Sequence, residues 1–231
     1  MSHSAAWLVT EKAHPLEINP TKPYKPEAAK ILIGNHALAI NPIDITLRSY
    51  AIFPLQYPTI LGGDAAGEVL EVGPDVTRFK PGDSVLGNAV GLSTHRQQEN
   101  GFQSHTILGD LTSLIPDSVS YEDTLVIPLA FSTAACGLFQ EKPFLQLDYP
   151  TEPARKPNGK TVLVWAVSSS VGSNTIQLAR AAGYEVVATA SSRNFEYVKG
   201  LGADEVFDYN SSSIENDGDR GRDRLHRWQE S

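Results

Sequence analysis

A chain of 231 residues, 41% hydrophobic and 20% charged, has the composition of an ordinary globular protein and the length for one large domain or two small ones. Its net charge of −8 argues against nucleic acid or an anionic membrane surface as partner, and its single cysteine excludes an internal disulfide and any multi-cysteine zinc site. No apolar run approaches the ~20 residues that span a bilayer, and the N-terminus lacks a basic segment followed by a long apolar core, so a cytoplasmic protein is expected.

Residues 1–125 are rich in glycine, proline and β-branched residues, with short apolar runs between turns. Residues 30–39 alternate loosely, 67–72 and 84–86 are apolar, and Asp75, Pro81-Gly82-Asp83 and Pro116-Asp117 are turn signals. The pattern predicts a small, irregular β-barrel as the first domain. Residues 121–138 are dominated by Ala, Leu and Phe and read as a helix leading into the second domain, 126–210. Residues 142–160 carry four prolines and no periodicity, and read as a surface loop.

Strand 162–167, helix 174–182, strand 185–190, helix 194–201 and strand 205–208 follow, a βαβαβ unit with the alternation of a parallel sheet. Gly183 and Gly202 stand where the two helices end. Between the first strand and its helix lies the turn Ser168-Ser169-Ser170-Val171. Strand, turn and helix in that order suit a dinucleotide, because free N–H groups and the positive helix end meet its pyrophosphate. The second strand ends in Ser191-Ser192-Arg193-Asn194, which offers no Asp or Glu to a free ribose 2′-hydroxyl. An arginine with hydroxyl neighbours suits a 2′-phosphate instead, so the expected cofactor is NADP. Taken alone, the serine turn is equally an ordinary helix cap and Arg193 a solvated residue at a helix start.

Residues 211–231 hold nine charged side chains and only Ile214, Leu225 and Trp228 as sizeable apolar ones. They read as a disordered or weakly helical polar tail. A doubly wound domain needs a second half to build the nicotinamide side of its crevice, so the second domain is expected to be C-terminally truncated.

Three segments carry a resemblance. They are Asn41-Pro42-Ile43-Asp44 with Arg48 and Tyr50, the glycine-rich 58–69, and 71–85. In this order they resemble the medium-chain dehydrogenase/reductase superfamily, in its zinc-independent branch. The nearest likeness is to fungal trans-acting enoyl reductases and quinone-oxidoreductase-like proteins of polyketide pathways. The resemblance covers residues ~5–210 and implies an α/β protein: an N-terminal GroES-like β-barrel domain plus a C-terminally truncated Rossmann domain. It places Asn41, Pro42, Ile43 and Asp44 against the nicotinamide end of NADP and Ser168, Ser169, Ser170 and Val171 around the pyrophosphate. Ser191, Ser192, Arg193 and Asn194 would contact the 2′-phosphate, and Tyr209 would pack near the adenosine. Ala130, Phe131, Ser132, Thr133, Ala134, Ala135, Cys136 and Gly137 would line the substrate cleft, with Thr133 as the polar contact. Zinc-dependent members carry a cysteine at or near Asn41 and Gly-His-Glu where this chain has Gly62-Gly63-Asp64, so no metal is expected. Val167 departs from the family, which often has a small residue in this turn, and its β-branch would stiffen the phosphate loop.

The implied activity is NADPH-dependent reduction of a C=C bond conjugated to a carbonyl. The substrate would be an enone, enoyl thioester or quinone, with a polyketide synthase as one source, and the protein a monomer or homodimer. No side chain stands out as acid or nucleophile, so the catalytic residue is left unassigned and positioning carries the chemistry. Two rival readings are a truncated, non-catalytic remnant or partner-dependent fragment, and an alcohol dehydrogenase, the latter weakened by the missing zinc ligands. Plain structural roles compete too. Asp44 and Asp64 suit turns, as does Asn41 before Pro42, and Thr133 suits a bond within its own helix. Cys136 is expected to be a small buried hydrophobe, and residues 95–100 a solvated polar loop. The six histidines show no metal-ligand spacing, and none is assigned chemistry.

Overall fold

The computed structural model describes residues 3–211, so the tail expected over 211–231 lies, from residue 212 onward, outside the described residues. By its internal packing the chain divides into two units, Met1–Leu129 and Ala130–Ser231.

Two antiparallel sheets build the first unit. In one, β1 (Ser4–Leu8) lies between β2 (Glu17–Pro20) and β4 (Thr59–Ile60). The other has the order β7-β3-β5-β6-β8, from β3 (Ile31–Ala39), β5 (Asp64–Val72), β6 (Ser84–Asn88), β7 (His105–Leu108) and β8 (Thr112–Leu114). An isolated bridge pairs Ala5 of β1 with Gln103, two residues before β7. Alternation decides which side is apolar: Ile31, Ile33, Ala65, Val69 and Val85 share one buried cluster, while Glu68 and Leu70 point outward. Helix α1 (Pro42–Tyr50) starts at a proline, which loses nothing at a position whose N–H has no partner within the helix.

His105 on β7 is buried, and its ring lies against that of His3, tilted by 30° with centroids 4.0 Å apart. Burial, with the charge of His3 added, pushes the His105 pKa below that of a free imidazole. The unfolded chain therefore takes up a proton below about pH 6.5 that the folded chain resists, and stability falls as the pH drops through that window. Urea midpoints at pH 7.5 and 5.5 test this. The loss on acidification should be smaller in His105→Gln than in the native chain; equal losses would show that this pair does not titrate with folding.

The helix expected over 121–138 forms as two, α3 (Tyr121–Thr124) and α4 (Pro128–Phe139). Pro128 disfavours helical backbone at the residue before it and suits a first turn, so the chain breaks there. Read as one piece, Tyr121–Phe139 is long and apolar enough to cross a bilayer, contrary to the sequence expectation. The break leaves 12 residues in α4, short of the ~20 required, and Ala134, Leu138 and Phe139 pack into the core of the second unit.

In the second unit β9 (Thr161–Val164), α5 (Ser170–Ala181), β10 (Glu185–Ala190), α6 (Phe195–Gly200) and β11 (Glu205–Asp208) alternate. They form a parallel sheet of order β11-β10-β9. The central strand is buried from Val186 to Ala190, as a parallel strand covered on both faces must be. Val162, Val167, Ile176, Ala179, Ala188 and Val198 pack in the same core. Helix α5 begins at Ser170, earlier than the expected 174. The cause is Ser169, whose hydroxyl accepts from the Gly172 N–H at 3.1 Å and so caps the helix ahead of the glycine. A short 3₁₀ turn, Ser192–Asn194, precedes α6, which starts at Phe195 instead of 194.

Candidate functional site

In the second unit the candidate residues meet at one edge of the parallel sheet. Ala190 and Asp208 are paired at the ends of β10 and β11, so Ser191 and Tyr209 leave the sheet side by side. The chain leaving β9 joins them, with Ala166 N donating to Thr189 Oγ1 at 2.9 Å and Val167 N to Thr189 O at 3.0 Å. The carboxyl edge of a parallel sheet is where open α/β folds place ligands. Ser168, Ser169 and Ser170 are exposed there and Val171 half-buried, at the positive end of a 12-residue helix. The turn is strained at Ala166, whose φ is +55, not at Val167, which is wholly buried in the core. The stiffening expected from Val167 therefore falls on a core residue.

Gly172 permits the close approach of helix to turn: a Cβ there would lie 2.5 Å from Val167 Cα. The cradle so formed fits a dinucleotide pyrophosphate, with the Ser170 and Val171 N–H groups in the helix's first turn. Ser192 and Arg193 are exposed beyond β10, and Asn194 donates to Ser191 Oγ at 3.1 Å. No side chain or backbone group among the described residues pairs with the Arg193 guanidinium.

Asn41, Pro42, Ile43 and Asp44 lie in the first unit, and their geometry is set by two buried carboxylates. Asn41 caps α1, and its backbone N–H donates to Asp44 Oδ2 at 2.8 Å. Asp44 Oδ1 accepts from the Gly62 N–H at 3.0 Å. Gly62 holds φ at +100, and a Cβ there would strike the Phe102 ring at 2.4 Å. Asn41 Nδ2 donates to Asp64 Oδ2 at 2.7 Å, and Leu129 N to Asp64 Oδ1 at 2.7 Å. Asp64 is thus a buried anchor at the start of β5 and not a turn residue. Burial raises the pKa of both acids, against the hydrogen bonds from Asn41, Gly62 and Leu129, and for Asp64 the charge of Asp44 adds to the rise.

Beside this network the first unit encloses a cavity of about 470 Å³. Its lining includes Ile43, Asp44, Leu47, Asn88, His95 and Gln97. Sequence reasoning took residues 95–100 as solvated, yet Glu99 and Asn100 are buried. Glu99 Oε1 pairs with Lys30 and with Arg96 Nε at 3.1 Å, which offsets part of the cost of its burial, although Oε2 is buried with no hydrogen-bond partner among the described residues. Gln97 Oε1 accepts from Ile60 N at 2.8 Å. Arg96 is a neighbour at i−3, but no local pattern in 95–100 foretells Lys30 or Ile60, which lie far off in the sequence.

Ala130, Phe131, Ser132, Thr133, Ala134, Ala135, Cys136 and Gly137 all fall on α4. Ala130 and Ala134 are buried, while Phe131, Thr133 and Cys136 are exposed. Cys136 is therefore not the buried small hydrophobe expected from the sequence. Among the described residues no three of His, Cys, Asp and Glu come together. The carboxylates of Asp44 and Asp64 are occupied by Asn41, Gly62 and Leu129, so these side chains do not fit a zinc site.

The second unit, with its capped helix facing the carboxyl edge of a βαβαβ sheet, is of the Rossmann class, joined in one chain to a barrel of the GroES-like type. Residues 27–137 match the family model "Alcohol dehydrogenase GroES-like domain", and residues 170–220 match "Zinc-binding dehydrogenase". The zinc-binding alcohol dehydrogenase domain-containing protein cipB of Emericella nidulans is 49% identical over 94% of this chain and 60% of its own length. Trans-enoyl reductase tazE of Aspergillus terreus is 35% identical over 92% of this chain and 70% of its own. Quinone oxidoreductase of Pseudomonas syringae superposes with a TM-score of 0.70 at 28% identity, over 97% of this chain and 64% of that one. The chain belongs to the medium-chain dehydrogenase/reductase superfamily. It spans about 60% of the length of cipB.

Proposed function

We propose that this chain binds NADPH and reduces a C=C bond conjugated to a carbonyl, in fungal secondary metabolism. The observation that carries the reading is the edge of the second unit, where Arg193 stands exposed and unpaired among the described residues beside Ser191 and Ser192. Nothing acidic in Ser191–Asn194 would repel a 2′-phosphate, and a guanidinium recognises one through charge-assisted hydrogen bonds. The Ser168–Val171 turn and the first turn of α5 would hold the pyrophosphate, with Tyr209 beside the adenosine. Asn41–Asp44 would meet the nicotinamide end. Asp44, whose oxygens both accept backbone N–H groups, would act there by holding Asn41 and Gly62 in place.

NADPH, when bound, supplies the hydride. The cavity of the first unit would take the unsaturated carbonyl end of the substrate, its Leu47, Leu61 and Leu129 walls keeping water away. Thr133 on α4 would be a polar contact of the cleft. A quinone and an enoyl thioester share the conjugated C=C–C=O unit, which links the names of the quinone oxidoreductase and of tazE to one chemistry.

Calorimetric titration tests the cofactor half of the proposal. NADPH should bind at least tenfold tighter than NADH, a difference of about 1.4 kcal/mol. Arg193→Ala should weaken NADPH ten- to hundredfold, as expected for losing hydrogen bonds to a charged group worth about 1.5–3 kcal/mol, and leave NADH unchanged. Equal affinity of the native chain for both nucleotides would refute the NADP assignment. Absorbance at the reduced-nicotinamide band, followed with an enone present, tests the reaction itself.

A further inference from the structure

Two titratable side chains bound the cavity of the first unit, Asp44 and His95, and they differ in what they have free to offer. Both oxygens of Asp44 already accept backbone N–H groups. His95 is exposed, and its imidazole makes no hydrogen bond or ion pair among the described residues. Its backbone is left-handed, with φ +57 and ψ +30, at the end of the short helix α2 (Gly91–Thr94). A non-glycine residue held there is strained, and such strain persists only where the surroundings enforce it.

The enforcing contacts follow directly in the chain. Arg96 bonds Glu27 through Nη1 at 2.9 Å and reaches buried Glu99 through Nε at 3.1 Å. Gln97 Oε1 accepts from Ile60 N at 2.8 Å, and Gln103 Nε2 donates to Gln97 O at 2.9 Å. The segment carrying His95 is thereby fixed to β4 and to the loop before β7, and an unpartnered imidazole is held at the cavity on a rigid support.

We infer that His95 recognises the carbonyl oxygen of the substrate, donating an imidazole N–H to it inside this cavity. A donor there draws electron density from the conjugated C=C bond and stabilises negative charge as it develops on the oxygen. On the same wall Asp44 and Thr59 are already bonded and Gln97 is held through its Oε1, while Gln56, Asn88 and Ser93 are neutral amide or hydroxyl groups. The inference rests on the cavity being the substrate's, as proposed above, and it makes His95 a specificity residue for carbonyl-bearing ligands.

The test is a titration of the full chain, without nucleotide, with the unsaturated ketone benzylideneacetone. Binding is read from the imidazole Cε1–H signals in the proton NMR spectrum, the His95 signal being identified by its loss in His95→Asn. The His95 signal should shift saturably, and His95→Asn and His95→Gly should each weaken binding at least tenfold. Both replacements tolerate positive φ, so neither should lower the melting temperature, whereas a purely structural role for His95 would make both do so. His14→Asn, at another exposed histidine, should bind like the native chain. A ketone that does not bind saturably, that leaves the His95 signal in place, or that binds both variants like the native chain overturns the inference. The NADPH assay separates the two proposals. Ketone held through His95 with no nucleotide oxidation keeps this inference and sinks the reductase reading; oxidation with unaltered KM in both variants does the reverse.

Discussion

Alanine at Gly172 is expected to abolish NADPH binding and to lower the stability of the second unit by about 1–3 kcal/mol or more, the range for overpacking a tight site. The added Cβ would sit 2.5 Å from Val167 Cα and 2.6 Å from Val167 O. Both obstacles are backbone, so no side-chain rotation relieves them. Val167 cannot retreat, because it is wholly buried and its N–H is bonded to Thr189 O at 3.0 Å. Helix α5 cannot retreat either without breaking its cap, the 3.1 Å bond from Gly172 N to Ser169 Oγ. Either movement displaces the Ser168–Val171 turn that would cradle the pyrophosphate. Gly137 in α4 is the control: a Cβ there meets nothing within 4 Å, and alanine should stabilise the helix by about 0.5–1 kcal/mol. Urea melts followed by far-UV circular dichroism, with NADPH titrations beside them, distinguish the two. A Gly172→Ala chain as stable as the native one would show that α5 and the turn are not in the close contact described.

The same glycine marks where sequence reading stops. A Ser/Gly-rich stretch reads as a turn, so α5 was expected at 174; the real signal was Ser169, a cap that allows the helix to run through Gly172. The other strands and helices of the second unit were legible except for the end of β9, which stops at Val164 where a strand to 167 was expected, because a buried parallel strand and an amphipathic helix each write their period into consecutive residues. Strand β5 was half legible. Its apolar end, 67–72, stands out, while Asp64-Ala65-Ala66 has weak strand propensity and is held by pairing with β3 and β6. The division of the site follows the same logic. Ser168–Val171, Ser191–Asn194 and Tyr209 follow consecutive strands of one parallel sheet, so chain order alone brings them to one edge. The cavity of the first unit draws its wall from residues between Ile43 and Leu129. Nothing local in His95 or Gln97 announces a shared wall with Leu47; that is settled by the pairing of Glu99 with Lys30 and Arg96 and by the bond from Ile60 to Gln97.

Asp64 is the other position where a single substitution should have a large effect. It is 2% exposed and accepts two hydrogen bonds of 2.7 Å, from Asn41 Nδ2 and Leu129 N. Asp64→Ala removes the acceptor from both donors and leaves a gap. At about 1–3 kcal/mol for each stranded group, the loss should be of the order of 3–5 kcal/mol. Asp64→Asn is the sharper experiment, because two effects oppose each other. It removes a charge that burial disfavours, but its amide must turn an N–H toward either Asn41 Nδ2 or the Leu129 N–H. Since both neighbours are donors, the clash should prevail, with a smaller loss of about 1–3 kcal/mol. The pH dependence carries the electrostatic part separately. Burial raises the Asp64 pKa above that of a free aspartate, so the folded chain holds a proton that the unfolded chain releases. Its stabilising contribution is full below about pH 4, the unfolded value, and is lost as the pH rises through the folded one. The margin of the native chain over Asp64→Asn should therefore widen as the pH is lowered from 7 toward 4. Urea midpoints for the two chains across that range decide it, and a margin that narrows on acidification would mean that the hydrogen bonds from Asn41 and Leu129 outweigh burial in setting the charge of Asp64.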